Sequence, residues 1–82
     1  MHRYDRSVEF IVVYRRSTGE LISVESFENG DAAVAALDIA DGGDNDPDVE
    51  TVLLGSTSFE ALKVTHGRYF VRAPENLRPV AR

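Results

Sequence analysis

Cysteine is absent from this 82-residue chain, so disulfides, thiolate metal sites and a thiol nucleophile are all excluded. A chain this short buries only roughly 60–65% of the surface that its unfolded form exposes. Its core is therefore modest and has no covalent staple. Long apolar runs are also missing. No segment approaches the roughly 18 apolar residues that span a bilayer, and the first ten residues lack an apolar stretch behind a basic start. Neither a membrane segment nor a signal peptide is expected. The lack of cysteine fits a reducing cytoplasm, which is the expected location.

Basic charge is scarce: nine Lys and Arg stand against fourteen Asp and Glu, for a net charge of −5. This balance argues against a general nucleic-acid or anionic-membrane binder, because both need a basic surface. The charge is unevenly spread. Residues 41–50 hold Asp41, Asp44, Asp46, Asp48 and Glu50 with no base, whereas Arg68, Arg72, Arg78 and Arg82 face only Glu75 at the other end. Neither an internal repeat nor a phosphate-cradling or nucleophile-elbow motif is present. No cofactor is expected and no catalytic residue is assigned.

What the chain does have is a strong hairpin signal between Val8 and Phe27. Ser17-Thr18-Gly19 reads as a three-residue loop closed by glycine in the left-handed conformation. That loop sets Arg16 opposite Glu20, then Tyr14 opposite Ile22, Val12 opposite Val24, and Glu9 opposite Phe27. Alternation along the strands sorts the side chains. Val8, Phe10, Val12, Tyr14, Ile22 and Val24 form a continuous apolar face. Ile11, Val13, Leu21 and Phe27 share the other face with Glu9, Arg15, Ser23 and Glu25, which is more apolar than a solvent face requires.

Beyond the hairpin, Asp31 is an expected N-cap for an alanine-rich helix over Ala32–Ala40. Its buried stripe is Ala33, Ala36, Leu37 and Ala40. An aspartate-rich loop leads to a third strand, Val49 to Leu54. Thr57-Ser58-Phe59-Glu60 reads as a capping box opening a second helix. Gly67 is one possible end of that helix. Continuation to Phe70 is preferred, because it clusters Phe59, Leu62, His66, Tyr69 and Phe70 within about 100° of arc. Residues 1–7 read as a flexible lead-in, and residues 71–82, with Pro74 and Pro79, as an extended or disordered tail of the same domain.

The implied fold is a single α+β domain of order ββαβα: a three-stranded mixed sheet, strand order 2-1-3, with two helices packed on one face. Strands 2 and 3 run parallel through a crossover. The Ile11/Val13/Leu21/Phe27 face is then left open, and strand 2 is an exposed edge.

Three constellations bear on chemistry. Asp44, Asp46 and Asp48 alternate as in the first half of a calcium loop, but Val49 and Gly55 stand where that loop needs glycine and glutamate. A solvated linker is the preferred reading, and no metal site is assigned. His66 shares a stripe with Tyr69 beside Arg68 and Arg72, a candidate contact surface for a partner or ligand. The expected function is a non-enzymatic protein-interaction domain, homodimeric through the Ile11, Val13, Leu21 and Phe27 face, with a possible further protein partner. One alternative is a nucleic-acid accessory or regulator using Arg68, Arg72, Arg78 and Arg82 beside aromatic residues, a role the net acidity disfavours. The other is a small ligand binder or enzyme whose inter-subunit pocket joins Tyr14, His66 and Tyr69 to a carboxylate.

Overall fold

A computed structural model of the chain describes residues 8–43 and 46–82. Along the chain it places β1 (Val8–Arg15), β2 (Leu21–Phe27), α1 (Gly30–Gly43), β3 (Val49–Ser56), α2 (Phe59–Thr65), a 3-10 turn (Gly67–Tyr69) and β4 (Val80–Ala81). The class is α+β, with two helices and a mixed sheet. That sheet has four strands rather than three, in the order β3-β1-β2-β4. β1 is antiparallel to both of its neighbours, and β4 adds in parallel to β2.

Phe10, Ile11 and Val12 are consecutive, and each is at most 2% exposed. Successive strand side chains point to opposite faces, so both faces of the sheet must be covered at β1. The expectation of two helices on one face is therefore corrected. On one side Phe10, Val12 and Val24 pack with Leu62 of α2, flanked by Phe59, Tyr69, Phe70 and Leu77. On the other, Ile11 and Phe27 pack with Ala33 of α1, flanked by Val13, Ala36, Leu37 and Leu53. The small side chains of Ala33 and Ala36 let α1 lie close to this second face.

The hairpin register explains a second correction. From Glu9–Phe27 to Val13–Ser23 the pairs are those expected, but Tyr14 then pairs with Leu21 and the register shifts by one. The turn is the cause. Arg15 N–H donates to Glu20 O at 2.8 Å and Gly19 N–H donates to Arg15 O at 2.8 Å, so the loop is Arg16–Gly19, one residue longer than expected. Gly19 takes φ = 74° there, as a residue without Cβ does readily. The extra loop residue is compensated by a bulge that leaves Ile22 unpaired and 47% exposed. Leu21 consequently turns to the Phe10/Val12 cluster, not to the Ile11/Val13/Phe27 face.

The helix starts also differ from expectation by a residue or two. Asn29, not Asp31, caps α1: its Oδ1 accepts from Asp31 N–H at 2.8 Å and Ala32 N–H at 3.3 Å. Ser58, not Thr57, caps α2, its Oγ accepting from Ala61 N–H at 3.1 Å. α2 ends at Thr65 with His66 at φ −124°, ψ 42° as its C-cap, so Gly67 is the first residue past the cap and the preferred continuation to Phe70 does not occur. The β-branched pair Val64-Thr65 and Gly67 have weak helix propensity. The 3-10 turn that follows still carries Tyr69 to Tyr14, ring centroids 4.8 Å apart, and Phe70 to Phe59, 5.6 Å apart.

The last residues fold back along the domain. Leu77 N–H donates to Pro74 O at 3.1 Å, Leu77 packs on the Phe10 cluster, and Val80 and Ala81 align with Glu25 and Ser26. The expected exposed edge of β2 is thereby covered at its Glu25–Ser26 end. Among the described residues, no helix is long and apolar enough to cross a membrane.

The bulge reverses the energetic weights of two neighbouring residues. Leu21→Ala should cost about 1–3 kcal/mol, whereas Ile22→Ala should stay within roughly 0.5 kcal/mol of the parent. Urea denaturation measures both, and the opposite ranking would mean an unbulged hairpin.

Candidate functional site

The tip of the hairpin is the most polar and most connected region of the described chain. It forms because β1 outruns β2. Arg16 leaves the hairpin and its N–H donates to Asp48 O at 2.7 Å, extending the β1–β3 ladder past Arg15–Val49. This brings the basic end of β1 against the acidic approach to β3. Arg15 Nη1 lies 3.3 Å from both Asp46 Oδ2 and Asp48 Oδ2. The Ser17 backbone N–H donates to Asp48 Oδ1 at 2.9 Å, and its hydroxyl donates to Asp48 Oδ2 at 2.7 Å. The hydroxyl of Ser17, with Arg15 behind it, holds the Asp48 carboxyl below the usual carboxylate range.

Arg16 finds Glu50 rather than the expected Glu20, its Nε 3.2 Å from Glu50 Oε1. The same carboxylate oxygen accepts from the Tyr14 hydroxyl at 2.5 Å. That hydrogen bond lowers the Glu50 pKa, helped by the charge of Arg16, and raises that of Tyr14, helped by desolvation. Tyr69 meets Tyr14 edge to face, and the Arg68 guanidinium lies 5.0 Å from the Tyr69 ring centroid. Arg72 lies against Gly19, where a Cβ would sit 3.8 Å from its Cδ. Of the residues predicted as a contact surface, Arg68, Tyr69 and Arg72 therefore gather beside the hairpin tip. His66 does not join them in chemistry. It is half-buried, and its ring makes no hydrogen bond or ion pair among the described residues.

The chemistry available here is limited. A general base works best with a pKa near the operating pH, yet Glu50 is shifted away from neutrality in one direction and Tyr14 in the other. The aspartate loop is likewise committed. Asp46 Oδ1 accepts from Asp48 N–H at 2.9 Å, and the Oδ2 atoms of both residues face Arg15. Asp44 lies outside the described residues. Among the described residues no cluster of potential ligands is arranged for a metal ion.

The predicted sheet-face residues are placed as follows. Ile11 and Phe27 are buried, and Val13 is half-buried, all beneath α1, while Leu21 belongs to the opposite cluster. They do not form an open face. A half-open cleft of ≈ 250 Å³ is lined by Val8, Phe10, Phe59 and Pro79 together with Glu28 and Arg82. It is smaller than an ordinary small-molecule pocket of about 300–1,000 Å³. Its guanidinium is engaged as well: Arg82 Nη2 lies 2.7 Å from Glu25 Oε2. That pair also removes Arg82 from the predicted basic strip.

The two sheet edges differ. β4 covers the Glu25–Ser26 end of β2, secured by Arg82 N–H donating to Ser26 O at 2.8 Å and by the Arg82–Glu25 ion pair. Among the described residues, β3 carries no strand on its outer side. Its eight residues hold four large aliphatic side chains and one charge, Glu50, with no lysine or proline, and none of them is fully buried. The signal for this edge lies in Val49-Glu50-Thr51-Val52-Leu53-Leu54, an apolar run with a single charge. The signal for the tip lies in Arg15-Arg16 beside the turn and the acidic run that precedes β3. The chain matches no protein-family model, no curated protein and no solved structure.

The lowered carboxylates set the acid response. A group whose folded pKa is depressed stabilises the fold above its unfolded pKa and loses that contribution as pH falls through the folded value. Stability measured by chemical denaturation should therefore drop as pH falls below about 4. Asp48→Asn should start lower at pH 7 and show a shallower decline. Parallel declines for parent and variant would rule Asp48 out as a source of the acid sensitivity.

Proposed function

We propose that this chain is a small non-enzymatic interaction domain that self-associates, and that its joining surface is the outer edge of β3 rather than a sheet face. The observation that carries this reading is the asymmetry of the two edges. An unpaired edge is a template for another strand, and proteins ordinarily blunt it with lysine, proline, a bulge or a cover. Here the Glu25–Ser26 end of β2 has such a cover in β4 and the Arg82–Glu25 pair, while β3 has none among the described residues. Its one charge, Glu50, is drawn to Tyr14 and Arg16.

The sheet face loses its claim because α1 occupies it. An enzymatic role finds little support at the tip, where Tyr14 and Glu50 satisfy each other. The nucleic-acid alternative would rest on Arg68, Tyr69 and Arg72, but Asp46, Asp48 and Glu50 share that end of the molecule and oppose a polyanion.

Sedimentation velocity from low to high micromolar concentration tests the proposal. The expected outcome is a sedimentation coefficient that rises with concentration from monomer to dimer. A strict monomer throughout the range would falsify it.

A further inference from the structure

The free backbone groups of β3 follow from the phase of its ladder with β1. In an antiparallel pair, hydrogen-bonded and non-hydrogen-bonded residue pairs alternate. Arg16 N–H donates to Asp48 O, so Arg16–Asp48 is a hydrogen-bonded pair. By alternation along the observed register, Tyr14–Glu50, Val12–Val52, Phe10–Leu54 and Val8–Ser56 are the others. Glu50, Val52, Leu54 and Ser56 therefore turn their N–H and C=O groups toward β1. Val49, Thr51, Leu53 and Gly55 turn theirs outward. The Val49 N–H is already used, donating to Asp46 O at 3.1 Å. Among the described residues, the groups left open belong to Thr51, Leu53 and Gly55, along with the Val49 carbonyl.

These three residues are self-complementary. Resting on the self-association proposed above, we infer that the partner on β3 is a second copy of this chain. It lies antiparallel to β3, on a two-fold axis at Leu53. Leu53 then faces Leu53 of the second copy, and Thr51 faces its Gly55, with the reciprocal pair completing the set. All three are hydrogen-bonded pairs, built only from N–H and C=O groups that the monomer leaves open. The intervening residues match as well. Val52 sits opposite Leu54 of the second copy, twice over, and Glu50 sits opposite its Ser56, so no like charges face each other. On the α1 side of the sheet the Glu9 carboxylate lies beside Gly55, 3.4 Å from where a Cβ would sit, so Thr51 of the second copy meets it there.

Neighbouring registers fit less well. Centring the axis on Val52 calls on the Val49 N–H that Asp46 holds and sets Glu50 against Leu54. Centring it on Thr51 brings Pro47, which has no N–H, opposite Gly55. The Leu53 register is isologous, so both copies contribute the same surface and the contact closes at two. The two four-stranded sheets become one continuous sheet across the axis.

The absence of cysteine makes a cross-linking test clean. In this register Glu50 and Ser56 of the second copy form a non-hydrogen-bonded pair with Cα atoms about 4.5 Å apart, within the span of a disulfide. Two copies of Glu50 lie roughly 20 Å apart, as do two copies of Ser56. A mixture of Glu50→Cys and Ser56→Cys proteins should form the mixed disulfide on mild oxidation, identified by mass spectrometry of tryptic peptides. Neither variant alone should cross-link. Thr51→Pro removes an outward N–H without touching the β1 ladder, a substitution that edge strands accept. It should raise the dimer dissociation constant roughly 10- to 100-fold, because symmetry deletes the hydrogen bond twice, while the circular dichroism stays that of the parent.

The outcomes separate the two proposals. Dimers that cross-link as Glu50→Cys or Ser56→Cys alone, or that persist undiminished in a folded Thr51→Pro variant, overturn this register and leave self-association standing. A parent protein that stays monomeric overturns both. If Thr51→Pro fails to fold, the mixed disulfide decides by itself.

Discussion

β1 places Phe10, Ile11 and Val12 in succession, and all three are sealed from water. A strand cannot hide three consecutive side chains against a single layer, because the middle one points the other way. This requirement organises the domain. It puts β2 and β3 on either side of β1, seats α1 over Ile11 and α2 over Phe10 and Val12, and recruits Phe59, Phe70 and Leu77 to complete the second layer. Burying a large aliphatic or aromatic side chain contributes about 1.5–3 kcal/mol, so these three residues together outweigh any exposed ion pair in the molecule, where about 0–1 kcal/mol is usual.

The ion pairs have a different role, which is positional. Arg15 and Arg16 extend beyond the hairpin and draw the approach to β3 onto the end of β1 through Asp46, Asp48 and Glu50. The Ser17 hydroxyl and amide close the same junction. Oppositely charged segments 31 to 34 residues apart in sequence thus fix where β3 begins. That starting point sets the phase in which β3 pairs with β1, and hence which of its backbone groups face outward.

Much of this was legible in the chain, because alternation is a local signal. The pairs from Glu9–Phe27 to Val13–Ser23, the two-sided apolarity of β1, its central position, the phase of β3 and the Ala33/Ala36/Leu37 part of the α1 stripe all read directly from side-chain periodicity, while the Ala40 side chain lies outside what the structure describes. The turn is one residue longer than alternation alone implies. Arg16-Ser17-Thr18-Gly19 suits a loop of either length, and the choice depends on Arg16 reaching Asp48 and Glu50, contacts from distant sequence. The placement of α1 was missed for a related reason. Surplus apolarity on a second face says that something must cover it, but not whether the cover is a helix of the same chain or another molecule. β4 has only two residues and reads as a proline-spaced tail; its strand character comes from the edge it lies on.

β4 has a consequence for valence. A sheet with two open edges is a bifunctional unit: each added strand exposes another, and pairing propagates without limit, as in cross-β fibres. A sheet with one edge covered is monofunctional and ends growth at the first encounter. In this molecule the cover is two residues of backbone pairing and one ion pair between Arg82 and Glu25. If the open edge of β3 pairs as proposed, these few contacts decide whether growth stops at that pair, and they are weakest where salt screens the ion pair.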